Sequence, residues 1–126
     1  MKLLDSNILI YAAAAGQDAL QEEILAEPAG VSVATVMEVL GYHLLTREEE
    51  SDLRALLDQL TVFSADIVLA ERAVILRQQR KMGLGDAIIA ATALVHGLPL
   101  VTRTVDDFNH IAGLEIIDPL ADREGA

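Results

Sequence analysis

Lys2-Leu3-Leu4-Asp5-Ser6-Asn7-Ile8-Leu9-Ile10-Tyr11 decides the fold. Residues 2–4 read as a short buried strand that stops at an acid. Asp5 or Ser6 can then cap a helix over 7–15, because a short polar side chain satisfies backbone N–H groups that lack intrahelical partners. Gly16 supplies the stop. A strand followed at once by a helix is the opening of a strand–helix–strand unit.

The pattern repeats outward from there. Residues 17–26 read as a second helix, ended by Pro28 and Gly30. Residues 31–33 read as a strand, and Thr35 is a candidate cap for a helix over 36–45. Thr46-Arg47-Glu48-Glu49 has the capping-box spacing and opens a helix to about residue 60. Residues 61–63 are strand-like, and Asp66 can cap a long helix to Lys81. Met82-Gly83-Leu84-Gly85 breaks that helix. Asp86 begins the next one, which ends at His96-Gly97. Residues 98–101 and 114–117 are the last strands. Short apolar strands alternating with helices predict a parallel α/β sheet with helices on both faces, in one domain over 1–126. The end after Pro119 is expected to fray.

Four acidic positions stand at the ends of, or inside, apolar runs. Asp5 closes the first strand, and Glu38 interrupts the run Val36-Met37-Glu38-Val39-Leu40. Asp86 opens Ala87-Ile88-Ile89-Ala90-Ala91-Thr92-Ala93. Asp106 and Asp107 follow Leu100-Val101-Thr102. A carboxylate in apolar surroundings is costly unless a cation neutralises it, and no Lys or Arg adjoins Asp5, Glu38 or Asp86. In open α/β sheets, ligand sites lie beyond the carboxyl ends of the strands, where these acids fall. A hard divalent cation with oxygen ligands would join them in one pocket. Plainer roles exist for each: Asp5 and Asp86 as caps, Glu38 as a surface side chain, Asp106 and Asp107 as loop residues. The combination is more informative than any member.

Composition narrows the field. The chain of 126 residues is 52% hydrophobic and 3% aromatic, enough for one core built of Leu, Ile, Val and Ala. It has no Cys, which excludes disulfides and thiolate metal sites. No basic start followed by a long apolar run marks a signal peptide, and no run is long enough to span a membrane, so a cytoplasmic protein is expected. The net charge of −11 argues against a general nucleic-acid binder but not against a metal-bridged phosphate enzyme. Few aromatics argue against recognition by base stacking. A haloacid-dehalogenase phosphatase would need a second Asp where Asn7 stands. A receiver domain needs an acid-plus-Lys set that is not assignable. A dinucleotide fold needs a Gly-rich turn after the first strand, and there is none. His43, His96 and His110 lack partners at ligand spacing. Arg77, Arg80 and Lys81 form a basic run that reads as a solvated helix end or as a contact to a phosphate backbone.

Taken in order, Leu4-Asp5-Ser6-Asn7-Ile8-Leu9-Ile10-Tyr11, Ser32-Val33-Ala34-Thr35-Val36-Met37-Glu38, Gly85-Asp86-Ala87-Ile88-Ile89-Ala90-Ala91-Thr92-Ala93 and Leu100-Val101-Thr102-Arg103 with Asp107-Phe108 resemble the PIN domain, more narrowly the VapC-type toxins of bacterial toxin–antitoxin pairs. The resemblance covers residues 1 to about 119. It implies an α/β/α sandwich and a Mg²⁺- or Mn²⁺-dependent endoribonuclease. It puts Asp5, Glu38 and Asp86 on the three family acidic positions. At the fourth the chain departs: Thr104 stands where many relatives carry Asp or Asn. Asp107 is given that role, with Asp106 and Thr104 in reserve. Ser6 and Thr102 match hydroxyl positions that orient ligands or water, and Arg103 is the phosphate-contact candidate. The resemblance also implies a VapB-like antitoxin and a homodimer. Surface for the dimer is expected at 12–15 and 36–45. The alternative reading is a catalytically degenerate interaction module.

Overall fold

The computed structural model describes residues 1–14 and 16–120. The elements run β1 (Lys2–Leu4), α1 (Ser6–Ala13), α2 (Asp18–Leu25), β2 (Ala29–Ser32), α3 (Val33–Leu40), α4 (Arg47–Leu57), β3 (Thr61–Phe63), α5 (Ile67–Gln79), α6 (Leu84–His96), β4 (Leu100–Val101), a 3-10 turn (Val105–Asp107) and β5 (Ile116–Ile117). The strands form one parallel sheet in the order β3-β2-β1-β4-β5. The central strand is therefore β1, which Asp5 follows.

Successive residues of a strand point to opposite faces, and that rule builds the layers. Leu3 joins the core beneath α5 and α6, with Leu69, Leu76, Ile89 and Phe108. Leu4 joins the core beneath α1 and α4, with Ile8, Leu9, Leu53 and Leu56. Leu100 and Val101 divide in the same way. Helices thus cover both faces, as the alternating pattern predicts. Helix α6 presses Ala87, Ala90, Ala91 and Ala93 into its core, and these small side chains permit close approach. Its one buried hydroxyl, Thr92, is satisfied by the Ile88 carbonyl at 2.7 Å.

The element ends show where tertiary geometry overrides the local reading. Ser32 caps α3, accepting from the Ala34 N–H at 3.1 Å, whereas Thr35 is buried inside that helix. Helix α3 ends at Gly41, short of the expected residue 45. Asp86 is not a cap: α6 starts from Gly83, and Asp86 is the helix's third residue. The capping box at Thr46 is present in both directions, and its hydrogen bonds hold the Glu49 carboxyl below its usual range. Gly97 closes α6 in the left-handed region, at φ 65°, where a side chain would be strained. Ala12, expected as surface, is buried in the fold's own core. The exposed apolar face lies instead on α5 and α6, at Ile67, Val68, Val74, Ile75, Leu84 and Val95, with Met37, Tyr42 and Leu44 also exposed. Residues 122–126, expected to fray, lie outside the described residues. Among those described, no helix is long and apolar enough to cross a membrane.

Candidate active site

Asp5 is the centre of the site. Its N–H donates to the Val101 carbonyl at 2.9 Å, so the chain is still held in the sheet where α1 begins. The residue is only 4% exposed. Oδ1 accepts from the Ser6 N–H at 2.8 Å, as an N-cap does. Oδ2 accepts from the Thr102 hydroxyl at 2.8 Å and from Asn7 Nδ2 at 3.1 Å. Burial pushes the Asp5 carboxyl up; the bonds from Thr102 and Ser6 oppose that rise, and the charges of Glu38 and Asp107 add to it. Being a cap does not exhaust this residue, because a solvated cap has no need of three donors.

Glu38 comes from the second turn of α3. Oε1 accepts from the Ser6 hydroxyl at 3.1 Å. That hydroxyl also lies 3.2 Å from Thr35 Oγ1, and its single proton serves one neighbour at a time. Asp86, in the first turn of α6, is half-buried. Its carboxyl is raised by burial first, then by Asp5 and Asp107. The helix N-terminus favours the opposite, charged form.

The three candidates for the fourth acidic position separate cleanly. Asp107, in the 3-10 turn, acts electrostatically on both Asp5 and Asp86. Asp106 accepts instead from Asn109 Nδ2 at 3.4 Å. Thr104 supplies a hydroxyl, 3.2 Å from that of Thr102, and accepts from Asn7 Nδ2 at 3.1 Å.

Two participants escape a sequence reading. Asn7 joins the end of β1 to the end of β4: Nδ2 reaches Asp5 and Thr104, and Oδ1 accepts from the Arg103 N–H at 3.3 Å. Thr35 is buried and holds Ser6 from beneath. Their partners are 97 and 29 positions away, so spacing carries no trace of them. Arg103 lays its guanidinium over the Tyr11 ring, 4.3 Å from the centroid. His43 meets only the edge of Tyr42, His96 tilts against Phe63, and both ring nitrogens of His110 are buried without a hydrogen-bond partner.

The acids surround Asp5 but do not share one closed cavity. Asp86 and Asp107 line a trough of 380 Å³, whereas Glu38 lines a separate groove of 650 Å³ between α1, α3 and α4. Among the described residues, no three acidic or histidine side chains converge tightly enough to hold a metal ion as they stand. The donor set still fits a hard divalent cation. It is all oxygen, the neighbouring carboxylates help to raise the Asp5 and Asp86 carboxyls beyond what burial does, and the ion pairs Lys2–Glu27 and Arg54–Glu50 lie elsewhere. Glu38 and Asp107 are exposed, so their carboxylates can turn toward Asp5.

Comparison with known proteins places this geometry. The model of the PIN domain matches residues 2–114. A chain of a toxin–antitoxin complex from Klebsiella pneumoniae is 36% identical, with 94% of this chain and 98% of that one covered and a TM-score of 0.74. A chain of DNA-bound VapBC from Salmonella typhimurium is 24% identical over 94% and 98%, with a TM-score of 0.77, and shows the shared fold. Ribonuclease VapC1 of Rickettsia felis is 46% identical over 41 residues, a match that spans 32% of this chain and 31% of that relative.

Proposed function

This chain belongs to the PIN domain family, and from that premise we propose that it is a Mg²⁺- or Mn²⁺-dependent endoribonuclease acting as the toxin of a toxin–antitoxin pair. The observation that carries the reading is the buried Asp5 carboxylate, held by three donors and faced by Glu38 and Asp107 with no cation among the donors. The ribonuclease and toxin–antitoxin relatives support it.

Asp5, Asp86, Glu38 and Asp107 are the residues that would hold the cation. When bound it would polarise a phosphodiester and lower the pKa of an attacking water. Thr102 and Asn7 fix the Asp5 carboxylate, so that donor is in place before substrate arrives. Ser6 donates to Oε1 of Glu38 and orients that carboxylate, whose Oε2 would accept a proton from water. Arg103, flattened on Tyr11 at the edge of a surface hollow shared with Asn7 and Thr104, would present its N–H fork to a phosphate. The 650 Å³ groove, apolar at Ile10, Val39, Tyr42 and Leu45 and acidic at Glu48, Glu49 and Asp52, suits an apolar antitoxin segment with basic residues. The exposed apolar face of α5 and α6 suits a homodimer.

The test is RNA cleavage by the purified protein with Mg²⁺ or Mn²⁺ and with chelator. Cleavage that needs the cation and is lost in Asp5→Ala supports the reading. Cation-independent cleavage, or cleavage that survives Asp5→Ala, overturns it. A protein that binds its antitoxin but never cuts RNA would be an interaction module.

A further inference from the structure

The trough beside Asp86 is lined by side chains of both signs: Asp86, Asp106 and Asp107 on one hand, Arg80 and Lys81 on the other, with His110 among them. Of the basic run at the end of α5, Arg77 is used by the fold: its Nε donates to the Met82 carbonyl at 3.3 Å and ties the loop to the helix. Arg80 and Lys81 make no such bond and stay exposed, beyond the last residue of α5. In a chain of net charge −11 they bring positive charge to the doorstep of an acidic site. His110 lines the same trough, and both of its ring nitrogens are buried without a hydrogen-bond partner among the described residues. The volume, 380 Å³, is near the lower limit of small-ligand clefts and on the scale of one nucleotide.

We propose that this trough is a nucleotide subsite for the RNA strand, and that Arg80 and Lys81 clasp the phosphate next to the scissile one. The proposal rests on the ribonuclease reading and adds a direction to it: one flank of the cut lies in the trough. A small anion would be drawn to Arg80 and Lys81 and repelled by Asp86, Asp106 and Asp107. A strand of regularly spaced phosphates satisfies both sets, the acidic one through a cation.

The experiment uses the whole protein and short RNAs with one cleavage site. In each, one linkage beside the scissile phosphate, on the 5′ or the 3′ side, is an uncharged methylphosphonate. Wild type should lose about tenfold in kcat/KM, through KM, with the uncharged linkage on one side only. The double variant R80A/K81A should show that loss on ordinary RNA and lose nothing more on the modified one. Its slope of log KM against log salt should fall by about 0.7, the single-strand value for one phosphate no longer neutralised. R77A should lower the melting temperature and leave KM unchanged. An unchanged KM and salt slope in a folded R80A/K81A protein would overturn the subsite. So would a methylphosphonate loss equal in both proteins. Either result leaves wild-type cleavage, and the ribonuclease reading, in place. A wild-type protein that cuts no RNA with either cation would overturn both together.

Discussion

Gly85 and Glu38 occupy one another's space: a Cβ built on Gly85 would lie 2.9 Å from Oε1 of Glu38 and 3.1 Å from Oε2. The carboxylate of α3 therefore lies against the first turn of α6, where unpaired backbone N–H groups favour negative charge. The same turn carries Asp86, so one missing side chain lets two acids approach.

Gly85→Ala separates folding from chemistry. The group that must give way is the end of a flexible side chain, not backbone, so the fold tolerates the methyl group. Ala in place of Gly in a helix adds about 0.5–1 kcal/mol. The melting temperature should hold or rise. The displaced carboxylate should cost about 10–100-fold in activity, the usual effect of disturbing a ligand's support. Full activity in a folded Gly85→Ala protein would show that the Glu38 position is not critical.

Burial, reinforced by charge repulsion, makes Asp86 a liability in the metal-free protein. Burial, Asp5 and Asp107 raise its carboxyl above the ordinary 3.8. The folded state therefore holds the proton more tightly than the unfolded state. As pH rises from 3.8 through the raised pKa, the folded state loses stability relative to the unfolded one. Asp86→Asn should accordingly melt higher than wild type at pH 7, with chelator present. That advantage should shrink on acidification toward pH 4. A variant that melts lower at pH 7 would contradict the assigned repulsion.

The converse holds with the cation present. Ligands that bind only the folded state stabilise by about 2.7 kcal/mol at a hundred times Kd. Millimolar Mg²⁺ or Mn²⁺ should raise the wild-type melting temperature, chelator should reverse the rise, and Asp86→Asn should abolish most of it. A melting temperature indifferent to both ions would tell against a working site.

Much of this was legible in the residues, for identifiable reasons. Strand β1 and its capping acid are written within five positions, and the capping box at Thr46 within four, so local chemistry suffices. The parallel order follows because short apolar strands alternate with helices. Cap positions were less legible. Ser32 and Thr35 are both plausible caps three positions apart, and only the pairing of Ser32 with Phe63 in β3 decides which is still strand. The resemblance pointed to Thr102 and Thr104, but the roles of Asn7 and Thr35 and the bonds that link the four were invisible, because they join residues brought together by the sheet. The outward apolar face of α5 was hidden by a pattern that places Leu69, Ala73 and Leu76 inward while Val68 and Ile75 also interrupt the polar side.

Thr102 is the positioning residue for Asp5. Its proton goes to Oδ2, a carboxylate oxygen that, among the described residues, is otherwise reached only by Asn7. Thr102→Val keeps the shape and removes the donor, which should cost about 1–3 kcal/mol by leaving the buried acceptor short of a partner. It should also raise the Asp5 carboxyl further, since that bond opposes its rise. The acidic limb of the activity–pH profile should then move to higher pH, and Thr102→Ser should restore it. An unmoved limb would place Asp5 ionisation outside the reaction.

Inhibition should use the same electrostatics. Carboxylates that repel one another attract a guanidinium, and Arg can bind a carboxylate through two parallel hydrogen bonds. An antitoxin segment lying in the groove at Ile10, Tyr42 and Leu45 can reach Glu38, which lines that groove and also faces Asp5. An Arg or Lys projecting from the segment would compete with the cation for Asp5, Glu38 and Asp86. The protein's net charge of −11 should also speed encounter with a basic segment at low salt. Replacing that basic residue by Ala in the cognate antitoxin should restore ribonuclease activity while the complex persists, because the apolar contacts are untouched. Tyr42→Ala should do the reverse, weakening the complex while leaving free-enzyme activity intact. Affinity and cleavage measured on the same two variants decide the matter: a complex that falls apart once the basic residue is lost, or that stays inactive without it, would rule out inhibition by charge in the pocket.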